Sequence, residues 1–119
     1  MVTIDEVLAA ATDFKDKMNA NPKIQKLLKI WNPLIHFTTA DSGIKTTVNI
    51  KGGIVEEVKA GNNGDPDLVI SFPTALELRD MLLGKLNPTA MYLSGDIRVK
   101  GHQADVIKLD AITMILWPE

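Results

Sequence analysis

Hydrophobic residues in this chain change their spacing twice, and that switch limits the possible architectures more than any single motif. From the start to Trp31 they recur every third or fourth position: Ile4, Val7, Leu8, Ala11, Phe14 and Met18, then Ile24, Leu27, Leu28 and Trp31. Such spacing gathers side chains on one helix face. Thr3 and Glu6 form a capping box at the start of the first helix. Asn21 and Pro22 supply the N-cap and first-turn proline of the second, and Pro33 ends it. Beyond Pro33 the interval falls to two.

Leu34–Thr39 is rich in β-formers, and after the Asp41-Ser42-Gly43 turn a strict alternation begins. Ile44, Thr46, Val48 and Ile50 alternate with Lys45, Thr47, Asn49 and Lys51, which predicts a strand with one wet face. Gly52-Gly53 reads as a primed hairpin turn. Ile54–Ala60 is the third strand, its Glu56-Glu57 pair indicating partial exposure. Gly61–Pro66 is a loop, and Asp67–Phe72 is a strand expected to close an antiparallel meander.

The helical spacing then returns. Thr74 and Glu77 make a second capping box, and Leu78, Met81 and Leu82 share a face up to Gly84. Asn87-Pro88 opens a short helix that Ser94-Gly95 stops, Asp96–Lys100 alternates as a last strand, and a helix runs from about His102 to Leu116, ended by Pro118. The order predicts an α+β fold: a mostly antiparallel five-stranded sheet covered on one face by about five helices.

A chain of 119 residues can close a core as one domain without metals or disulfides, and the absence of cysteine removes thiolate nucleophiles and cysteine zinc sites. Asp5 and Glu6 stand where a signal peptide carries basic residues, so a cytoplasmic protein is expected. No apolar run approaches the roughly 18 residues that span a bilayer, and stable membrane insertion is not expected. A net charge of −2 argues against nucleic acid and against tight docking on anionic membranes. Lys23, Lys26 and Lys29 lie close together and read as the solvated face of a helix.

The last helix is too apolar for an ordinary cover. Ala104, Ile107, Ala111, Met114 and Ile115 trace one stripe, and Val106, Leu109, Ile112 and Leu116 trace another. Only Asp105, Lys108, Asp110 and Thr113 are left to face water. Either the helix is fully buried, or one stripe seals the core while the other lines a cavity or covers a partner. Met91, Tyr92 and Leu93 are consecutive and cannot all enter one core. With Met81 and Met114 they suit an adaptable apolar pocket, because methionine is unbranched and polarisable.

Catalytic signatures are weak. His36 lies in a predicted strand and His102 beside a glycine turn, and both read as surface or capping residues. Ser42 and Ser94 adjoin glycines without forming a nucleophile elbow. Glu56 and Glu57 are strand neighbours facing opposite sides, so they cannot flank one substrate. No catalytic residue, metal site or cofactor is predicted.

The phrase Gly84-Lys-Leu-Asn-Pro88, then an apolar cluster, then Ser94-Gly-Asp-Ile-Arg-Val-Lys-Gly101, with Lys108-Leu109 behind it, resembles the sterol carrier protein type 2 family. Asp67-Leu-Val-Ile-Ser71 matches the strand before it, and the likeness is specific from about Asp67 to Leu109. The resemblance implies an apolar tunnel between sheet and helices that takes sterols, fatty acids or fatty acyl-CoA. Carried over position by position, its lining would be Met81, Leu82, Met91, Leu93, Ile97, Val99, Ile107, Ala111, Met114 and Ile115. With no C-terminal peroxisomal signal in the sequence, the family's eukaryotic localisation is not expected to transfer; the compact, cysteine-free form looks prokaryotic, so the word sterol carries little weight. Two alternatives to lipid carriage stay open: an accessory protein binding a partner enzyme of lipid or quinone metabolism, and a homodimer using the same apolar surface.

Overall fold

The computed structural model describes residues 2–117. Its elements are α1 (Ile4–Asn19), α2 (Pro22–Leu27), β1 (Leu34–Thr39), β2 (Lys45–Lys51), β3 (Ile54–Ala60) and β4 (Leu68–Phe72). They are followed by α3 (Ala75–Leu82), α4 (Pro88–Ser94), β5 (Arg98–Lys100) and α5 (Gln103–Leu116). Pro118, expected to end α5, lies outside the described residues. The capping box at Thr3 forms in full, and Asn21, Thr74 and Asn87 each accept from first-turn amides of α2, α3 and α4. At Thr74 the box is half made: Glu77 bonds the threonine hydroxyl and not its backbone amide. Helix α2 stops after Leu27, where the chain turns so that Leu28 and Trp31 point inward and Leu27, expected on the buried side, is left exposed.

The five strands form a mixed sheet in the order β3-β2-β1-β4-β5. Neighbours pair antiparallel except β1 and β4, which are parallel, with Ile35 opposite Leu68 and Phe37 opposite Ile70. The expected meander is therefore corrected: β4 does not continue beside β3 but crosses to the far side of β1. The free edge of β3 is occupied instead. The Asn19 amide donates to the Val55 carbonyl at 2.9 Å, and the Val55 N–H donates to Asn19 Oδ1 at 2.7 Å, so the end of α1 blunts that edge.

The crossing runs over the sheet face that the alternation assigned to water. Thr47 Oγ1 donates to the Gly61 carbonyl at 2.7 Å and accepts from the Asn63 N–H at 2.9 Å. His36 Nε2 bonds the Asn63 carbonyl at 3.0 Å, and Asp67 ties both its backbone and its carboxylate to Leu34. His36 and Thr47 are buried as a result, so His36 is a structural residue under a loop and not a surface one. Two further departures are local. An extra residue in β3, Glu56, forms a bulge that turns both Val55 and Val58 inward despite their three-residue spacing. Strand β5 starts only at Arg98, because the amides of Asp96 and Ile97 donate to the Met91 carbonyl and close α4.

Helices α1 and α3 lie side by side on the other face, α1 over β2 and β3, α3 over β1 and β4. Val7, Ala11, Phe14 and Met18 of α1 and Leu78, Met81 and Leu82 of α3 meet Ile35, Phe37, Val48, Ile50, Leu68, Ile70 and Phe72 in one buried cluster. Phe37 and Phe72 anchor it, with ring centroids 6.2 Å apart. Helix α5 packs against α4 and α1.

Thr47→Val keeps the side-chain volume but leaves the Gly61 carbonyl and the Asn63 amide without their partner. Urea unfolding should show a loss of about 2 kcal/mol; a loss close to zero would mean that the crossover does not depend on this hydroxyl.

Candidate functional site

Helix α5 settles the question its two apolar stripes raise. Val106, Leu109 and Ile112 are buried, while Ile107 and Met114 are each 63% exposed. Of the four residues expected to face water, two do not. Asp105 is buried, its Oδ1 accepting from Trp31 Nε1–H at 2.9 Å, and Lys108 Nζ lies 3.7 Å from the same oxygen and 5.5 Å over the Trp31 ring. Thr113 is buried too, its hydroxyl satisfied by donating to the Asp110 carbonyl at 2.8 Å. The helix thus seals the core with one stripe and turns the other outward.

Polar ties hold α5 along its length. Gln103 Nε2 donates to the Tyr92 hydroxyl at 2.6 Å, Asn87 Nδ2 donates to Asp110 at 2.6 Å, and Trp31 holds Asp105. At its end Trp117 lies over Gly84 so closely that a Cβ there would run into the indole, and the same ring stacks on Phe14 at 6.5 Å with Lys17 Nζ at 5.8 Å. Beside this contact opens a cleft of about 530 Å³, lined by Gly84, Lys85, Leu86, Asn87, Thr113, Met114 and Trp117. That volume falls within the range of small-molecule sites. A second cleft of about 560 Å³ lies between the starts of α1 and α3, lined by Val2, Glu6, Asp41, Thr74, Leu76 and Arg79. Its guanidinium is already engaged, 3.5 Å from Glu6 and 3.1 Å from Asp80.

The structure divides the residues named as a tunnel lining. Met81, Leu82, Met91 and Ile97 join the buried core, and Val99, Ala111 and Ile115 are half-buried. Leu93, 78% exposed, stands outside with Ile107 and Met114. Of the ten, Met114 alone borders the α5 cleft. Sequence reasoning missed Leu86, Thr113 and Trp117, although Leu86 sits inside the Gly84–Pro88 phrase that carries the family resemblance. It also passed over Thr46, whose hydroxyl is buried on the inward face of β2 with no hydrogen-bond partner among the described residues. No group of three or more His, Asp or Glu among the described residues is placed to hold a metal ion, and no described helix is long and apolar enough to cross a membrane.

The family model of the SCP-2 sterol transfer family matches residues 12–113. The chain belongs to that family. Its fold is shared with a UbiJ-SCP2 ubiquinone synthesis protein, at 15% identity and TM-score 0.72 over 92% of this chain and 94% of that one. Sterol carrier protein 2 is similar at 16% identity and TM-score 0.69, over 92% and 95%. Palmitated SCP2L2 from Aedes aegypti is similar at 16% identity and TM-score 0.66, over 91% and 92%. A search of curated proteins by sequence finds no match. As an SCP-2 domain the chain is of a lipid-binding and lipid-transfer class, and the five-stranded mixed sheet with five helices is the fold of its structural neighbours.

Two substitutions probe this site. Gly84→Ala should push Trp117 off Phe14, read as a red shift of tryptophan emission and a loss of about 1–2 kcal/mol of stability, since φ here is +79°; an unchanged spectrum would show that the indole does not rest on Gly84. Thr46→Val removes an unsatisfied buried hydroxyl and should stabilise the chain by about 1 kcal/mol in thermal or urea unfolding. A loss of similar size would reveal a partner for that hydroxyl.

Proposed function

We propose that this SCP-2 domain carries a single-chain lipid, a fatty acid or fatty acyl-CoA, and shields it from water without changing it chemically. The observation that supports this best is α5: a helix apolar on both sides, one stripe seated on the core and the other exposed, bordering a cleft lined by Met114, Leu86 and Trp117. The acyl chain enters at this cleft and runs beneath α5 toward Met81, Leu82, Met91 and Ile97, with Val99, Ala111 and Ile115 along its flank and Leu93, Ile107 and Met114 at the mouth. The polar ties at Gln103, Asp105 and Asp110 hold the first half of α5, while its inner stripe is held by apolar contacts that a lipid chain can replace at little cost.

Burial suffices as a driving force. Each methylene removed from water is worth about 0.8 kcal/mol, so a 16-carbon chain gains about 12 kcal/mol gross. Association takes back about 4 kcal/mol or more, leaving micromolar binding or tighter with no reactive group. The reading is non-catalytic: His36 is engaged with the Asn63 carbonyl under the crossover loop, and His102, the exposed N-cap of α5, does not line the cleft. A cytoplasmic setting goes with it.

The outward stripe of α5 supports a second reading, an accessory protein for a partner enzyme or a homodimer. The likeness to the UbiJ-SCP2 ubiquinone synthesis protein directs that reading toward quinone synthesis. Native mass spectrometry of the protein as purified, followed by fatty-acid titration of tryptophan fluorescence, separates the two. Carriage predicts a co-purifying lipid, quenching on titration, and about tenfold weaker binding in Met114→Asp, a change at an exposed position that the fold tolerates. Association that rises with concentration, without lipid uptake, would overturn carriage in favour of the second reading.

A further inference from the structure

We propose that Asn63-Gly64, in the crossover between β3 and β4, is a site of spontaneous deamidation and isoaspartate formation that the folded chain holds in check. Of seven asparagines, Asn63 is the one followed by glycine, while Asn21, Asn32 and Asn87 precede proline. The reaction needs a backbone N–H on the following residue, which proline lacks. Glycine supplies one with no Cβ to hinder the approach. The Gly64 nitrogen attacks Asn63 Cγ and an N–Cγ bond forms. The Cγ–Nδ2 bond breaks, and the Gly64 amide proton leaves with Nδ2 as ammonia. Water then opens the cyclic imide at one carbonyl or the other, giving aspartate or isoaspartate. Asn63 and Gly64 are both exposed, so water reaches them.

The conformation opposes the first step. Asn63 N–H donates to Thr47 Oγ1 at 2.9 Å, its Nδ2 donates to the Ala60 carbonyl at 3.0 Å, and its carbonyl bonds His36 Nε2 at 3.0 Å. Attack needs the side-chain amide to give up Ala60 and present Cγ to the Gly64 nitrogen. It must do so against backbone that Thr47 and His36 hold in place. The bonds that seat the crossover on the sheet thus also hold the reaction off, and modification proceeds through local opening of that loop. The fold keeps the labile pair, because Gly64 sits at φ +78° and a Cβ there would stand 2.8 Å from Leu34 Cδ2. Isoaspartate adds a methylene to the main chain between the residue's N–H and its carbonyl. Thr47 and His36 can then no longer both be met, and an aged chain loses the cover of this sheet face. None of these residues lines the α5 cleft, so the inference holds whatever the cleft carries.

The test is incubation of the full chain at mildly alkaline pH, folded and in urea, followed by peptide mapping and enzymatic methylation of isoaspartate. Unfolded chain should be modified at Asn63, and the folded parent about a hundredfold more slowly. Thr47→Val should speed the folded reaction about thirtyfold, as expected for the loss of that hydroxyl's two hydrogen bonds. Gly84→Ala, destabilised on the other side of the sheet, should stay within about twofold of the parent. Hydrogen exchange of the Asn63 amide measures the opening in the parent itself, and its protection should match the suppression of deamidation within about threefold. Equal rates folded and unfolded, no reaction in urea, or first modification at another asparagine would overturn the proposal. So would equal acceleration by Thr47→Val and Gly84→Ala, or a suppression unrelated to amide protection.

Discussion

The parallel pairing of β4 with β1 is the constraint on which the rest of the molecule depends. Because β4 pairs with β1 and not with β3, the seven residues from Gly61 to Asp67 must cross the sheet past β2 and β1 instead of closing a tight turn. Backbone groups on such a crossing have to find partners away from water. Thr47, His36 and Asp67 supply them, and a face that would otherwise be wet becomes covered. Helices α1 and α3 cover the opposite face, and α5 packs outside them against α1 and α4.

That crowding explains why α5 has two apolar stripes. Helices α1 and α3 already cover the sheet directly, so α5 arrives as an outer element resting on α1 and α4. Its inner stripe completes the core, and its outer stripe remains available. Trp31 and Asn87 donate to Asp105 and Asp110 and Gln103 donates to the Tyr92 hydroxyl, which registers the first half of the helix and leaves dispersion and burial to hold its inner stripe. A seam of that kind is non-directional, which is what a protein needs if it is to exchange side-chain contacts for contacts with a flexible apolar guest.

The surface divides by charge in a way that net charge conceals. The corner at α2 is basic and partly aliphatic, while the opposite balance is spread over α1, β3 and the loops.

Much of this was legible in the residues. The double change of period marked every helix and strand, caps at Thr3, Asn21, Thr74 and Asn87 placed the helix starts, and the Gly84–Pro88 and Ser94–Gly101 phrases pointed to the family. The two-stripe character of α5 was also plain. What the residues did not reveal was the partner of β4, the burial of His36, Thr47 and Asp105, and which stripe of α5 looks inward. The physical reason is common to these cases. Periodicity states which side chains share a face, because that depends on neighbours in the chain, whereas the direction of the face and the pairing of strands depend on contacts between residues tens of positions apart. Local sequence therefore determined the elements and the family, and only the tertiary structure decided that four of the ten lining candidates belong to the core and that the cleft lies where Gly84 meets Trp117.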